Sequence, residues 1–243
     1  MKLIRFAYQN EQSYGVLENE TVRTLNGTQN NVVPLADVKL LAPSFPSKII
    51  CVGLNYHDHI REMKLPQPVE PLIFLKAPSA LNHPGDPIEL TPFSNQIELE
   101  GELALVIGKL AKNVSEEEAL SSLMGYTCFN DVTARDLQRR DSQFCRAKSF
   151  DTFACMGPWV ETQLDPSNLT IQTYLNGELK QNSNTKEMIF GVPKLVSFVS
   201  HMMTLYPGDV ISTGSPGGTC TMKSGDVVEV KIEGIGSLRN SVV

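Results

Sequence analysis

A β-rich α+β fold with a few short helices is expected for this chain on three grounds. Apolar and polar residues alternate over many short runs, as where Val228, Val230 and Ile232 interleave with Glu229, Lys231 and Glu233. A two-residue period is that of a half-buried strand. Turn signals separate the runs, and Asn176-Gly177 after the stretch from Thr170 to Leu175 is a strong hairpin signal. Helix signals, by contrast, are few. At 243 residues, 41% hydrophobic and 20% charged, the chain can bury a full core in one large domain with a small appendage.

The appendage comes first. Ile4 and Phe6, then Tyr14 and Val16, then Val22 and Thr24 give three brief alternating runs separated by turn-forming segments, a small N-terminal β module over residues 1–45. Pro43-Ser44-Phe45-Pro46 closes it, because proline removes donors and favours extended backbone. A main domain over residues 46–243 opens on Lys48-Ile49-Ile50-Cys51-Val52-Gly53, a buried strand by composition and length. Ser115-Glu116-Glu117-Glu118 is a capping box, and Gly125 stands where the helix it starts should stop. Pro193 suits the first turn of a second helix, on which Leu195, Val196, Val199 and Met202 or Met203 share an apolar face before Pro207-Gly208.

Charge and cysteine usage exclude several classes. A net charge of −6 and a pI near 5.3 argue against nucleic acid as a partner, since phosphate binding needs a basic surface. The longest apolar stretches fall short of the ~20 residues that span a bilayer. The N-terminus alternates and lacks a signal-peptide core, so a cytoplasmic protein without a membrane partner is expected. Five cysteines with no Cys-x-x-Cys spacing point to neither a disulfide framework nor a zinc site.

The chemistry concentrates on Glu100, Glu102 and Asp131. Leu103, Leu105 and Ile107 alternate with Ala104 and Val106, so a strand through this stretch puts Glu100 and Glu102 on one face. Two carboxylates entering so apolar a run repel each other and cost on the order of several kcal/mol to desolvate unless a proton or cation offsets them. Asp131 is the candidate third ligand. An all-oxygen trio is the set that magnesium or manganese prefers, with calcium as a substitute.

Two further groups carry candidate roles. If the residues after Tyr56 form a short helix, His59 and Glu62 share a face, and the carboxylate orients the imidazole as a base; a surface helix pair is the plainer alternative. On a helix starting at Asp131, Arg135 and Gln138 face back toward that residue. A guanidinium can bind a substrate carboxylate through two hydrogen bonds, and the Lys148 ammonium can neutralise a developing enolate. Arg135 could equally form a structural ion pair with Asp136 or Glu102.

The ordered motifs Gly-Leu-Asn-Tyr-x-x-His-x-x-Glu, Phe-Leu-Lys at Phe74 to Lys76, Glu-x-Glu, Asn-Asp-x-x-x-Arg-Asp-x-Gln, Lys-Ser-Phe-Asp-Thr-Phe and Thr-Gly-Ser-Pro resemble the fumarylacetoacetate hydrolase family from about Lys48 to the C-terminus. The resemblance implies a mixed β-sandwich roll, a homodimer, and a magnesium or manganese ion on Glu100, Glu102 and Asp131. It implies a lid carrying the pair His59 and Glu62, with Lys148 polarising substrate and Lys76, Arg135, Gln138 and Thr213 lining the pocket. One departure stands out: many members follow Thr-Gly-Ser-Pro with Gly-Val-Gly, whereas this chain has Gly217-Gly218-Thr219-Cys220, a change at the distal end of the substrate. The opening module resembles, more loosely, that of members acting on catabolic 2-oxo or 2-hydroxy-dienoic diacids.

The expected activity is therefore that of an isomerase or decarboxylase acting on a small 2-oxo acid, such as 2-hydroxyhepta-2,4-diene-1,7-dioate, through an enolate held at the metal. Hydrolysis of acylpyruvates or fumarylacetoacetate-like acids and decarboxylation of oxaloacetate are the alternatives. Outside enzymes, the acidic trio could hold calcium structurally.

Overall fold

Strand Gly101–Ile107 is buried at every position, and the rest of the fold is arranged to cover its two faces. The structure is a computed structural model that describes residues 1–25 and 32–243. Leu103, Leu105 and Ile107 enter a core shared with Ile171, Val228, Val230, Ile232 and Leu238, and with Leu195, Val196 and Val199 of the helix Val192–Met202. Ala104 lies on the other side among Ile49, Cys51, Phe129, Met156 and Val210. A strand covered on both faces tolerates no polar side chain along its length, which is why the run is continuously apolar after Glu102.

Gly101–Ile107 sits inside a twelve-stranded mixed sheet. It pairs antiparallel with Leu123–Asp131 on one edge and with Val210–Ser212 on the other. Val210–Ser212 runs parallel to Ile49–Gly53, and Leu72–Lys76 closes that side of the sheet. The second layer is an antiparallel sheet in the order Glu178–Asn184, Thr170–Leu175, Val227–Ile232, Gly236–Ser241, with the expected hairpin turning at Asn176 and Gly177. Short strands Thr133–Ala134, Ile97–Leu99 and Cys220–Thr221 form a third sheet. The result is the expected β-rich α+β sandwich. The capping box is present as predicted: the Ser115 hydroxyl accepts from the Glu118 amide, and the Glu118 carboxylate accepts from the Ser115 amide.

Several local expectations are corrected. Glu100 is not in a strand; pairing stops at Leu99 and resumes at Gly101. No helix starts at Asp131, which is the last residue of Leu123–Asp131; Thr133–Ala134 pairs with Ile97–Leu99 and keeps the chain extended until the helix Arg135–Arg140. Gly125 lies inside a strand, because the helix Glu116–Ala119 ends in the tighter turn Leu120–Ser122. The N-terminal strands do not form a sheet of their own, since Lys2–Tyr8 pairs with Ala154–Glu161 and joins them to the large sheet.

One buried acid fastens the entrance of the Ile49–Gly53 strand. Asp209 accepts from the amides of Ser47, Lys48 and Tyr206 at 3.0, 3.2 and 2.8 Å and from the Ser47 hydroxyl at 2.6 Å, and it pairs with the Lys48 ammonium. Burial works against the charge, yet Lys48 and Ser47 hold the carboxyl below its ordinary value of 3.8. A carboxyl depressed by folding adds stability above its unfolded value and loses that contribution as pH falls through the folded value. Asp209→Ala is expected to lower stability at pH 7 by roughly 3 kcal/mol, measured by urea unfolding, with the difference from the parent shrinking below about pH 4.

Candidate active site

Glu100, Glu102 and Asp131 are buried, and each offers an oxygen within 4.8 Å of the others. Gly101 explains how two glutamates so close in sequence reach one place. A Cβ there would stand 2.0 Å from the Thr173 hydroxyl, so only glycine lets the chain cross between sheets against the second layer. Gly101 is in register with Asn130, and the Asp131 amide donates to the Glu100 carbonyl at 2.8 Å, which delivers the third acid beside the first.

Three cations counter these acids unequally. Lys148 Nζ donates to Glu100 Oε2 and Asp131 Oδ2, each at 2.6 Å. Lys76 Nζ donates to Asp131 Oδ1 at 2.5 Å and to the Val132 carbonyl at 3.0 Å. Arg135 bridges Glu98, at 2.8 Å, and Glu100. Glu102 receives neutral donors only, the Ser212 hydroxyl at 2.5 Å and the Gly214 amide at 2.9 Å, both on Oε2. Burial first, and then the charges of Asp131 and Glu100, push its carboxyl well above the usual range. Against the effect of burial, Lys148 and Arg135 bring Glu100 down to about 2. Lys148 is raised because Asp131 and Glu100 outweigh its own burial.

A divalent cation fits this arrangement. The donors are all carboxylate oxygens, as hard cations require. Among the described residues, Glu102 Oε1 has no hydrogen-bond donor and Glu102 no cationic partner, so a bound ion would supply the charge that this buried carboxylate lacks.

Beside the acids lies a cavity of about 270 Å³, lined by all three, by Arg135, Gln138 and Lys148, and by His59. Val52, Leu54, Leu72, Phe74 and Phe144 give it an apolar wall. His59 comes from the helix His57–Met63, which Ile60 anchors in the core and Lys64 ends in a left-handed conformation. Its Nδ1 is 3.4 Å from Glu62 Oε2, a long contact. Gln138 Oε1 accepts from Arg135 Nη1 at 2.5 Å.

Two predicted pocket residues lie elsewhere. Lys76 stands behind Asp131, its ammonium bonded to that carboxylate and to the Val132 carbonyl, and it does not line the cavity. Thr213 is wholly buried and donates its hydroxyl to the Leu103 carbonyl at 2.9 Å, so it fixes the strand beneath the site. Sequence reasoning missed Ser215 and Arg139, both of which line the cavity. The spacing of Arg139, four residues after Arg135 on one helix, was a usable signal for it. His57 is half-buried and Asp151 is exposed.

The chain belongs to the fumarylacetoacetate hydrolase family and is an enzyme of that family. Residues 48–243 match the fumarylacetoacetate (FAA) hydrolase C-terminal family, and residues 1–43 match the Rv2993c-like N-terminal family. The mitochondrial oxaloacetate tautomerase FAHD2B of Bos taurus is 42% identical over 99% of this chain and 79% of its own length. Crystal structures of a 5-carboxymethyl-2-hydroxymuconate delta-isomerase from Mycobacterium smegmatis and a 2-hydroxyhepta-2,4-diene-1,7-dioate isomerase from Mycobacterium marinum superpose with TM-scores of 0.94 and 0.93. Each is 42% identical, and the superposition covers 100% of this chain and 98% of the other. No helix among the described residues is long and apolar enough to cross a membrane.

Glu102→Gln keeps the shape of the side chain and removes its ability to ionise. The melting temperature of the metal-free variant is expected to equal or exceed that of the parent. Manganese or magnesium at a hundredfold excess over Kd would stabilise the parent by about 2.7 kcal/mol, and that gain is expected to disappear in the variant, as calorimetry with and without chelator would show.

Proposed function

We propose that the protein is a divalent-cation-dependent isomerase of 2-oxo or 2-hydroxy-dienoic dicarboxylic acids. The observation that carries this reading is the buried trio of acids, one of them lacking a countercharge, set beside a cavity that His59 also lines. The relatives named as an oxaloacetate tautomerase and as isomerases of a heptadienedioate and a muconate support proton transfer as the reaction, and their named substrates share a carboxylate at each end. Arg139 supports the second carboxylate. Among the described residues it is the cavity cation with no acidic partner, since its guanidinium donates only to the Gln96 side-chain oxygen, at 3.0 Å. It lies one helical turn beyond Arg135.

When bound to Glu100, Glu102 and Asp131, the cation supplies Lewis acidity that draws electrons toward a 2-oxo oxygen. Lys148, kept protonated by Asp131 and Glu100, places a fixed positive charge where negative charge develops on the substrate. Arg135 is committed to Glu98 and Glu100 and holds the Gln138 oxygen, which leaves the Gln138 amide hydrogens to donate to a substrate carboxylate. His59, with Nδ1–H directed at Glu62, presents Nε2 as the base that takes a proton from C3 and returns it elsewhere on the same substrate. The apolar wall seats the carbon chain between its charged ends.

The purified protein, assayed with oxaloacetate and with 2-hydroxyhepta-2,4-diene-1,7-dioate in manganese or in chelator, is expected to interconvert tautomers of at least one of them only when the ion is present. His59→Ala should lower turnover about 100-fold or more. Cleavage of acetylpyruvate with neither diacid isomerised would replace this reading with hydrolysis. Arg139→Gln is expected to raise KM for the diacid by about tenfold or more with kcat nearly unchanged, and to leave KM for a 2-oxo monoacid unaltered.

A further inference from the structure

The turn Gly217-Gly218, at whose second residue this chain departs from the family pattern, packs on the helix that carries the proposed base. The Gly218 amide donates to Glu62 Oε2 at 3.1 Å, and the Gly217 amide donates to Asp58 Oδ1 at 3.5 Å. The Glu62 oxygen held by Gly218 is the one that faces His59 Nδ1. Asp58 fastens the same helix from its other oxygen, which accepts from the Ser183 hydroxyl, while its Oδ1 also accepts from the His59 amide at 2.6 Å. The Glu62 side chain is 50% exposed. Without the tether it would sample several rotamers, only some of which aim a carboxylate at the imidazole.

The turn also has no room to spare. A Cβ on Gly217 would stand 2.8 Å from Glu62 Oε2 and 3.7 Å from the His59 Cα. Gly218 has φ +93°, and a Cβ there would stand 2.2 Å from the Lys180 carbonyl, so its backbone admits glycine alone. We propose that the Gly217-Gly218 turn is a positioning element for the base: it pins the Glu62 carboxylate in the orientation that directs His59, and Asp58 with Ser183 locks the helix in place. The departure from Gly-Val-Gly falls on Gly218, the residue whose amide holds the Glu62 carboxylate. This inference rests on the roles proposed for His59 and Glu62.

Gly217→Ala tests it, because the backbone at Gly217 lies outside the left-handed region and the nearest obstacle is the end of a flexible side chain. With oxaloacetate as substrate and manganese as the ion, kcat is expected to fall on the order of tenfold or more, while KM and the melting temperature stay near the parental values. In the Glu62→Ala background the same change should cost no further activity, since there is no carboxylate left to misplace. Ser183→Ala, which frees Asp58 without crowding the turn, should lower kcat in the same direction by a smaller factor at unchanged KM. Parental kcat in Gly217→Ala, or an equal loss with and without Glu62, would overturn the proposal. Parental turnover in Glu62→Ala itself would instead overturn the base assignment on which it rests.

Discussion

Three carboxylates share one buried space, and much of the surrounding structure exists to make that tolerable. Desolvating a carboxylate is costly unless charge and hydrogen bonds compensate it. Lys76, Lys148 and Arg135 provide the compensation for Glu100 and Asp131. The distribution is uneven by construction: Glu100 sits near 2 and Glu102 is pushed upward, although only Gly101 separates them. The difference arises because the interruption at Gly101 lets them face different neighbours, cations for the first and a hydroxyl with an amide for the second.

The sandwich places this charge where it can be used. The three acids come from one region of the large sheet and its margin, on Gly101–Ile107, the residue before it, and the end of Leu123–Asp131. Leu72–Lys76, at the side of the sheet, contributes Phe74 to the cavity wall and Lys76 to the support behind Asp131. Adjacent strands thus hold the three acids rigidly, whereas His59 and Glu62 ride on the short helix His57–Met63, held by one buried side chain, Ile60, and by contacts to the Gly217-Gly218 turn.

What could be read from the sequence was what depends on local periodicity. The Asn176-Gly177 hairpin, the capping box at Ser115 and the helix beginning around Pro193 all follow from spacing and turn chemistry, and the structure contains them; the Glu-x-Glu pair does meet Asp131, but across the break at Gly101 and not along one strand face. Composition and alternation likewise led to a β-rich α+β fold, and the family resemblance to a sandwich. The failures have a shared cause, which is tertiary pairing overriding local pattern. Asp131 to Ala134 stays extended because it pairs with neighbouring strands, Gly125 serves a strand, and the N-terminal strands join the large sheet through Ala154–Glu161, over a hundred residues away. At the site, nothing local distinguishes Lys76 and Thr213, which brace the acids and the strand from behind, from residues that reach a cavity. Arg139 was overlooked for the converse reason, that an exposed arginine in a run of charges looks like ordinary surface.

The ammonium group of Lys148, bridging two of the acids from within the protein, has a consequence for biosynthesis. In small domains whose ligands come together only around an ion, folding waits for that ion and a chelator unfolds the chain. Here Lys148, together with Lys76 and Arg135, offsets the charge of Glu100 and Asp131 beforehand. Folding of these acids therefore need not wait for a cation, and any ion they hold can be taken up after the chain has folded.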